Sequence, residues 1–102
     1  MDQNVISQWV EAHREEFLED IKALVRIQSD RGEPKPGAPF GEGPNNALTK
    51  ALEIAGGYGF KTTNYDGYVG TVDFLPDNDH HLDILSHMDC VPVADGWTVT
   101  GP

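Results

Sequence analysis

The segment HLDILSHMDCVPVADGW, residues 81–97, decides the fold that we expect for this chain. Its first part, Leu82 to Met88, is predicted to be a β-strand with polar residues at its end. Two other strands are predicted upstream, over Phe60 to Asn64 and over Tyr68 to Leu75, with Asp66-Gly67 as the hairpin turn between them. Three strands of this kind indicate a sheet that carries functional side chains at a strand end.

A long amphipathic helix is predicted ahead of the strands, from about Asp2 to Gln28, with Asp2 as its N-cap. Acidic residues come early in this segment and basic residues come late, which suits the helix dipole. The apolar side chains recur at a spacing of about 3.6 residues and form one stripe. The stripe contains Ile6, Trp9, Val10, Phe17, Ile21, Leu24 and Val25.

A second helix is predicted to begin at Pro44 and to end at Gly56-Gly57. The stretch between the helices, Ser29 to Gly43, is rich in proline and glycine and is predicted to be a long loop within one domain. PDNDH (76–80) is predicted to be the turn before the third strand. The order of two helices and then three strands predicts an α/β fold in which helices pack on a mixed β-sheet.

The charge of the chain excludes several classes of partner. The 102 residues include 17 acidic and 7 basic side chains, for a net charge of −10. Nucleic acid and anionic membranes both require a basic face, so neither is an expected partner. The sequence contains no membrane-spanning run and no secretory signal, and its single cysteine cannot form an internal disulfide. We therefore expect a globular protein in the cytoplasm.

His87 and Asp89 are the candidate site residues. They are two positions apart, so on an extended strand both side chains project from the same face. A neutral imidazole is a good zinc ligand, and a nearby carboxylate can orient it. The same pattern also fits a solvated polar strand end. His80 and His81 lie about 20 Å away along a strand and are poor co-ligands, while Cys90 is either a further zinc ligand or, as we expect, a small buried residue.

Four segments in the same order resemble the zinc exopeptidase family that includes aminoacylase, glutamate carboxypeptidase and related dipeptidases. The stretch ILSHMDCVPVADGW (84–97) is similar to the first metal-binding motif of that family. PGAPFGEG (36–43), ALTKALEIAGGYGFKT (47–62) and NYDGYVG (64–70) resemble the bacterial Xaa-His, or carnosinase-like, dipeptidases. Two small departures are visible, because Ser86 replaces a usual glycine and Cys90 a usual valine.

The resemblance implies that residues 1–102 are the N-terminal part of a zinc peptidase catalytic domain. It implies that His87 binds zinc and that Asp89 is catalytic through its contact with the ligating histidine. Full-length members hold two zinc ions and act on dipeptides or short peptides. Their remaining ligands, the glutamate that acts as general base, and the lid or dimerisation domain lie downstream of the motif. We therefore expect zinc to bind this chain weakly or not at all.

Two classes of function follow from these observations. The chain is either the N-terminal part of a zinc-dependent dipeptidase, inactive by itself, or a stand-alone acidic α/β module that binds a partner without catalysis. A third expectation is self-association into a homo-oligomer, because exposed sheet edges and an unfilled core face invite pairing. The DNA beyond the codon of the last residue distinguishes the first two classes, since only a dipeptidase gene continues in frame into a further metal-binding motif.

Overall fold

The computed structural model describes residues 2–74 and 82–101, in which three helices pack with a small two-stranded sheet. The elements follow in the order α1 (Gln3–Ala12), α2 (Arg14–Val25), α3 (Glu42–Gly57), β1 (Lys61–Tyr65) and β2 (Val69–Asp73). Helix α3 contacts both strands, and α2 contacts α3. The expected combination of helices and strands is therefore present. Within the described ranges, no helix is long and apolar enough to cross a membrane.

The N-terminal region forms two helices, so the prediction of one helix from Asp2 to Gln28 is wrong. Asp2 is the N-cap as predicted, and its carboxylate accepts a hydrogen bond of 2.9 Å from the backbone N–H of Asn4. The break lies at His13, whose backbone (φ −108°, ψ 11°) is not helical. The His13 Nδ1 atom lies 2.8 Å from the Trp9 carbonyl oxygen, and the two rings stack at 3.9 Å. These local contacts stabilise the end of α1 where the apolar periodicity alone predicts continuation.

The apolar stripe of α1 and α2 is largely exposed. Trp9 and Phe17 expose 61% and 62% of their surface, and Val25 exposes 76%. No residue of either helix is buried. An uncovered apolar face of this kind is the surface that the predicted self-association would use. Self-association itself stays a prediction.

Helix α3 covers the sheet through small residues. It begins at Glu42, two residues before the predicted start, and it ends at Gly57 as predicted. Ala47 is 3% exposed. A Cβ atom added to Gly70 on β2 would lie 2.7 Å from a methyl carbon of Leu48 and 3.0 Å from those of Leu52. The absence of a side chain at Gly70 therefore lets the sheet approach the helix closely.

The hairpin is confirmed with small shifts of its boundaries. Strands β1 and β2 pair antiparallel, with Tyr65 opposite Val69 across the turn. Asp66 and Gly67 both have positive φ (57° and 79°), as a tight two-residue hairpin turn requires. The Asn64 side chain supports this turn by accepting a hydrogen bond of 2.8 Å from the Gly67 N–H.

The third strand, predicted over Leu82 to Met88, is absent, and the sheet of the described residues is antiparallel and not mixed. Residues 82–89 form no strand, and beyond them the Cys90 N–H donates a 3.3 Å hydrogen bond to the Ser29 carbonyl at an isolated parallel bridge between Cys90 and Asp30. Leu85 exposes 93% of its surface, which shows that no neighbouring element covers it. The strand end at Leu75 and the turn at 76–80 lie outside the described residues.

One side-chain hydrogen bond ties α2 to the end of α3. The hydroxyl of Tyr58 donates to a carboxylate oxygen of Asp20. This hydrogen bond is the largest cause of a raised pKa at Tyr58, well above the ordinary value of 10.0. Partial loss of solvent and the nearby Glu16 raise that pKa further. Because the folded state holds the proton more tightly, the contribution to stability is complete below the unfolded pKa. It is lost as the pH rises through the folded pKa.

Titration of Tyr58 provides a direct check of this contact. The absorbance difference between the wild-type chain and the Tyr58→Phe variant, followed with increasing pH, is expected to have its midpoint clearly above 10.0, the ordinary pKa of tyrosine. Removal of the acceptor charge in Asp20→Asn is expected to lower that midpoint. A midpoint at or below the ordinary value in the wild-type chain would show that the two helices are not joined in this way.

Candidate functional site

His87 and Asp89 lie in direct contact, although no strand carries them. The Nδ1 atom of His87 is 3.3 Å from the Asp89 carboxylate and 2.9 Å from the Asp89 carbonyl oxygen. No strand forms at residues 82–88, so the strand-end geometry that we expected is wrong, while the two side chains do lie in contact. With the proton on Nδ1, the Nε2 lone pair of His87 is left for a ligand. Both side chains are largely exposed.

The pair lines one side of an open groove of about 470 Å³. Helix α3 contributes Leu48 and Leu52 to the lining, and the hairpin contributes Tyr68. The loop before α3 contributes Arg31 and Phe40. The groove is therefore apolar along the helix and charged where Arg31, His87 and Asp89 meet it. A ligand with polar ends and an apolar side chain matches this division.

A contact between Ser29 and Cys90 joins the two segments that contribute the charged residues of the groove. The Ser29 hydroxyl donates to the Cys90 sulfur at 3.4 Å, beside the backbone hydrogen bond that joins the same two residues. Ser29 is 7% exposed. Cys90 is exposed, so the expectation that it is a small buried residue is wrong. The contact connects the loop after α2 to the segment that carries His87 and Asp89.

The surroundings of His87 are compatible with the predicted role of one zinc ligand. Its Nδ1 lies against Asp89, as the ring of a ligating histidine usually does, and its side chain is 83% exposed. A catalytic zinc normally has three protein ligands. Among residues 2–74 and 82–101, no group of three His, Cys, Asp or Glu side chains could hold a metal ion. His80 and His81 lie outside the described residues, so their exclusion as co-ligands stays a prediction.

Sequence reasoning missed Arg31, Phe40 and Tyr68 as residues of the groove. Phe40 and Tyr68 meet edge to face at 5.6 Å, and the Arg31 guanidinium carbon lies 6.0 Å from the centre of the Phe40 ring. The available signal was the length of the loop 29–43, since loops of this length are usually functional or disordered. The sequence could not indicate which of the loop's side chains line a groove together with His87.

The chain shows its similarity to bacterial dipeptidases over most of its length, in agreement with the resemblance of its four motifs. It is 39% identical over 100 residues to the Beta-Ala-Xaa dipeptidase of Lactobacillus delbrueckii subsp. lactis, a match that covers 96% of this chain and 21% of the relative. It is 40% identical over 87 residues to a Bacillus subtilis protein provisionally named a dipeptidase, covering 83% of this chain and 19% of the relative.

A provisionally named dipeptidase of Staphylococcus aureus is 39% identical over 90 residues, which cover 86% of this chain and 19% of the relative. The chain thus spans about one fifth of the length of the curated relatives that it matches. No family model matches the chain.

Proposed function

We propose that residues 1–102 are the N-terminal part of the catalytic domain of a zinc-dependent dipeptidase. The observation that carries this proposal is the 39% identity to a Beta-Ala-Xaa dipeptidase across 96% of the chain. The contact between His87 and Asp89 supports it, because the two residues that the resemblance names as zinc ligand and partner lie side by side. The substrate of the longer protein is then a dipeptide, whose peptide bond is hydrolysed.

In this proposal His87 and Asp89 have separate tasks. His87 would bind zinc through Nε2, and Asp89 would accept the Nδ1 proton and so fix the orientation and tautomer of the imidazole. A bound zinc ion would supply Lewis-acid polarisation of the scissile carbonyl and a water of lowered pKa as nucleophile. The longer protein would hold two zinc ions. The base and the other ligands would come from parts of that protein outside residues 1–102.

The isolated chain is expected to be catalytically inactive. Incubated with zinc and a panel of dipeptides, it should show no turnover above the buffer control, because one imidazole does not hold a catalytic metal. Zinc titration by calorimetry should give weak binding that disappears in the His87→Ala variant. His13→Ala is the matched control, since it removes an imidazole that lies on the N-terminal helices and does not line the groove.

Dipeptide turnover well above the control, lost in His87→Ala and retained in His13→Ala, would contradict the expectation of inactivity. The DNA downstream of the codon for Pro102 provides an independent check of the larger proposal. An in-frame continuation with a further metal-binding motif supports a dipeptidase. A stop codon at that point favours the alternative of a stand-alone acidic binding module.

A further inference from the structure

Arg31 lines the same groove as His87 and Asp89. Among the described residues that line the groove, it is the one side chain with a permanent positive charge. It makes no ion pair with any described residue, whereas Asp89 is engaged by His87 at 3.3 Å. Arg31 is exposed, so its guanidinium donors are accessible to a ligand in the groove that it shares with His87.

Three contacts determine where Arg31 lies. The preceding residue, Asp30, forms the parallel bridge to Cys90, and the following Gly32 donates a 2.9 Å hydrogen bond to the Phe40 carbonyl. The guanidinium carbon lies 6.0 Å from the centre of the Phe40 ring, within reach of a cation–π interaction. Both neighbours of Arg31 are thus tied to other segments, and its own stem has an aromatic surface beside it.

From this arrangement we propose that Arg31 binds a carboxylate of the peptide substrate. The planar guanidinium presents paired N–H donors that match the two oxygens of a carboxylate. A chain with a net charge of −10 repels anions, so a local cation is needed for an anionic group to approach His87. The groove volume of about 470 Å³ lies within the range of small-ligand sites. The inference rests on the proposed dipeptidase function, which supplies the peptide.

A peptide has two possible sources of this carboxylate, the C-terminus and an acidic side chain. Four probes separate them: alanyl-glutamine, alanyl-glutamate, and the C-terminal amides of both. The binding measurement is an NMR titration of the 102-residue chain, with EDTA present so that zinc plays no part. The Arg31 Nε–H signal is expected to shift with each carboxylate peptide that binds, and alanyl-glutaminamide is expected to bind about tenfold more weakly than alanyl-glutamate.

Charge-matched variants test whether Arg31 itself is responsible. Arg31→Gln is expected to lower the affinity for alanyl-glutamate about tenfold and to abolish the preference over the amide. Arg31→Lys retains the charge without the paired donors, and its affinity for alanyl-glutamate is expected to lie between those of the wild-type chain and Arg31→Gln. Arg26→Gln removes the same charge from a position that does not line the groove and is expected to leave binding unchanged. If Arg31→Gln does not fold, the wild-type shift and Arg31→Lys decide the question.

Equal affinity of the carboxylate peptides and alanyl-glutaminamide would overturn the proposal. An unshifted Arg31 signal, unchanged binding in Arg31→Gln, or an equal loss in Arg26→Gln would do the same, since the last result is general charge attraction. Preference for the C-terminal or the side-chain carboxylate supports the proposal and identifies the source. Because zinc is absent from the assay, a failure of the proposed metal chemistry leaves this result intact, and a failure here leaves the zinc proposal intact.

Discussion

Replacing His87 with alanine is expected to reduce dipeptidase activity roughly a thousandfold, because the metal supplies several kcal/mol of transition-state stabilisation. The measurement uses a chimera in which this chain replaces the matched 100 residues of the Lactobacillus Beta-Ala-Xaa dipeptidase. The chimera keeps the roughly four fifths of that dipeptidase that this chain does not match, and in our proposal that part supplies the remaining metal ligands. We expect the chimera to hydrolyse a β-alanyl dipeptide and to lose kcat/KM and bound zinc together when His87 is removed.

Variants at Asp89 and His13 show whether the loss in His87→Ala is specific to the zinc ligand. Asp89→Asn keeps the size of the side chain but weakens its hydrogen bond to the His87 imidazole. This variant is expected to have a kcat/KM about 10- to 100-fold lower. His13→Ala should leave activity unchanged, since His13 lies on the N-terminal helices and contacts Trp9. A chimera that remains fully active without His87 would remove the zinc-ligand role from that residue.

Replacing Gly41 with alanine is expected to destabilise the fold by about 3 kcal/mol, from backbone strain and overpacking together. Gly41 has φ 99° and ψ 175°, a conformation that only glycine adopts readily. A Cβ atom there would lie 2.7 Å from the Gly32 backbone, which cannot move aside as a flexible side chain can. The free energy of unfolding, measured by urea denaturation with far-UV circular dichroism, checks this value.

Gly37→Ala is the matched control for this experiment. Gly37 also has positive φ (76°), but nothing lies within 4 Å of the position that its Cβ would occupy. Its replacement should cost about 1 kcal/mol, the strain alone. The difference between the two variants measures the additional strain of the Gly41 backbone together with the close approach of Gly32. If both variants lose the same stability, the close approach of Gly41 and Gly32 does not exist in solution.

The parts of the fold that were predictable from sequence are those that neighbouring residues determine. Asp2 caps a helix because its own carboxylate reaches the N–H of Asn4 two residues on. Asp66-Gly67 forms the hairpin turn because both residues tolerate positive φ. The end of α3 at Gly57 was likewise predictable from the residues at that position. The contact of His87 with Asp89, two positions apart, was also within reach of a sequence argument, although its geometry was not.

The errors concern contacts between segments that are distant in sequence. Leu82 to Met88 has the residues of a strand, but a strand requires a partner, and within the described residues the one nearby bridge joins Asp30 to Cys90, beyond the segment. Cys90 has the size and polarity of a buried residue, yet no element covers it. Burial and strand pairing depend on which other segments pack against this one. The hydrophobic pattern of the segment alone does not encode that information.

The sequence by itself determined the hairpin turn, the N-cap, the mixture of helices and strands, and the His87–Asp89 motif, because short-range geometry and side-chain chemistry suffice for each. Only the tertiary structure decided that the sheet has two strands and that Arg31 shares a groove with His87. The reason is that Arg31 and His87 are 56 positions apart in the chain. The contacts of Ser29 with Cys90 bring them together, and the periodicity of neither segment reports such a contact.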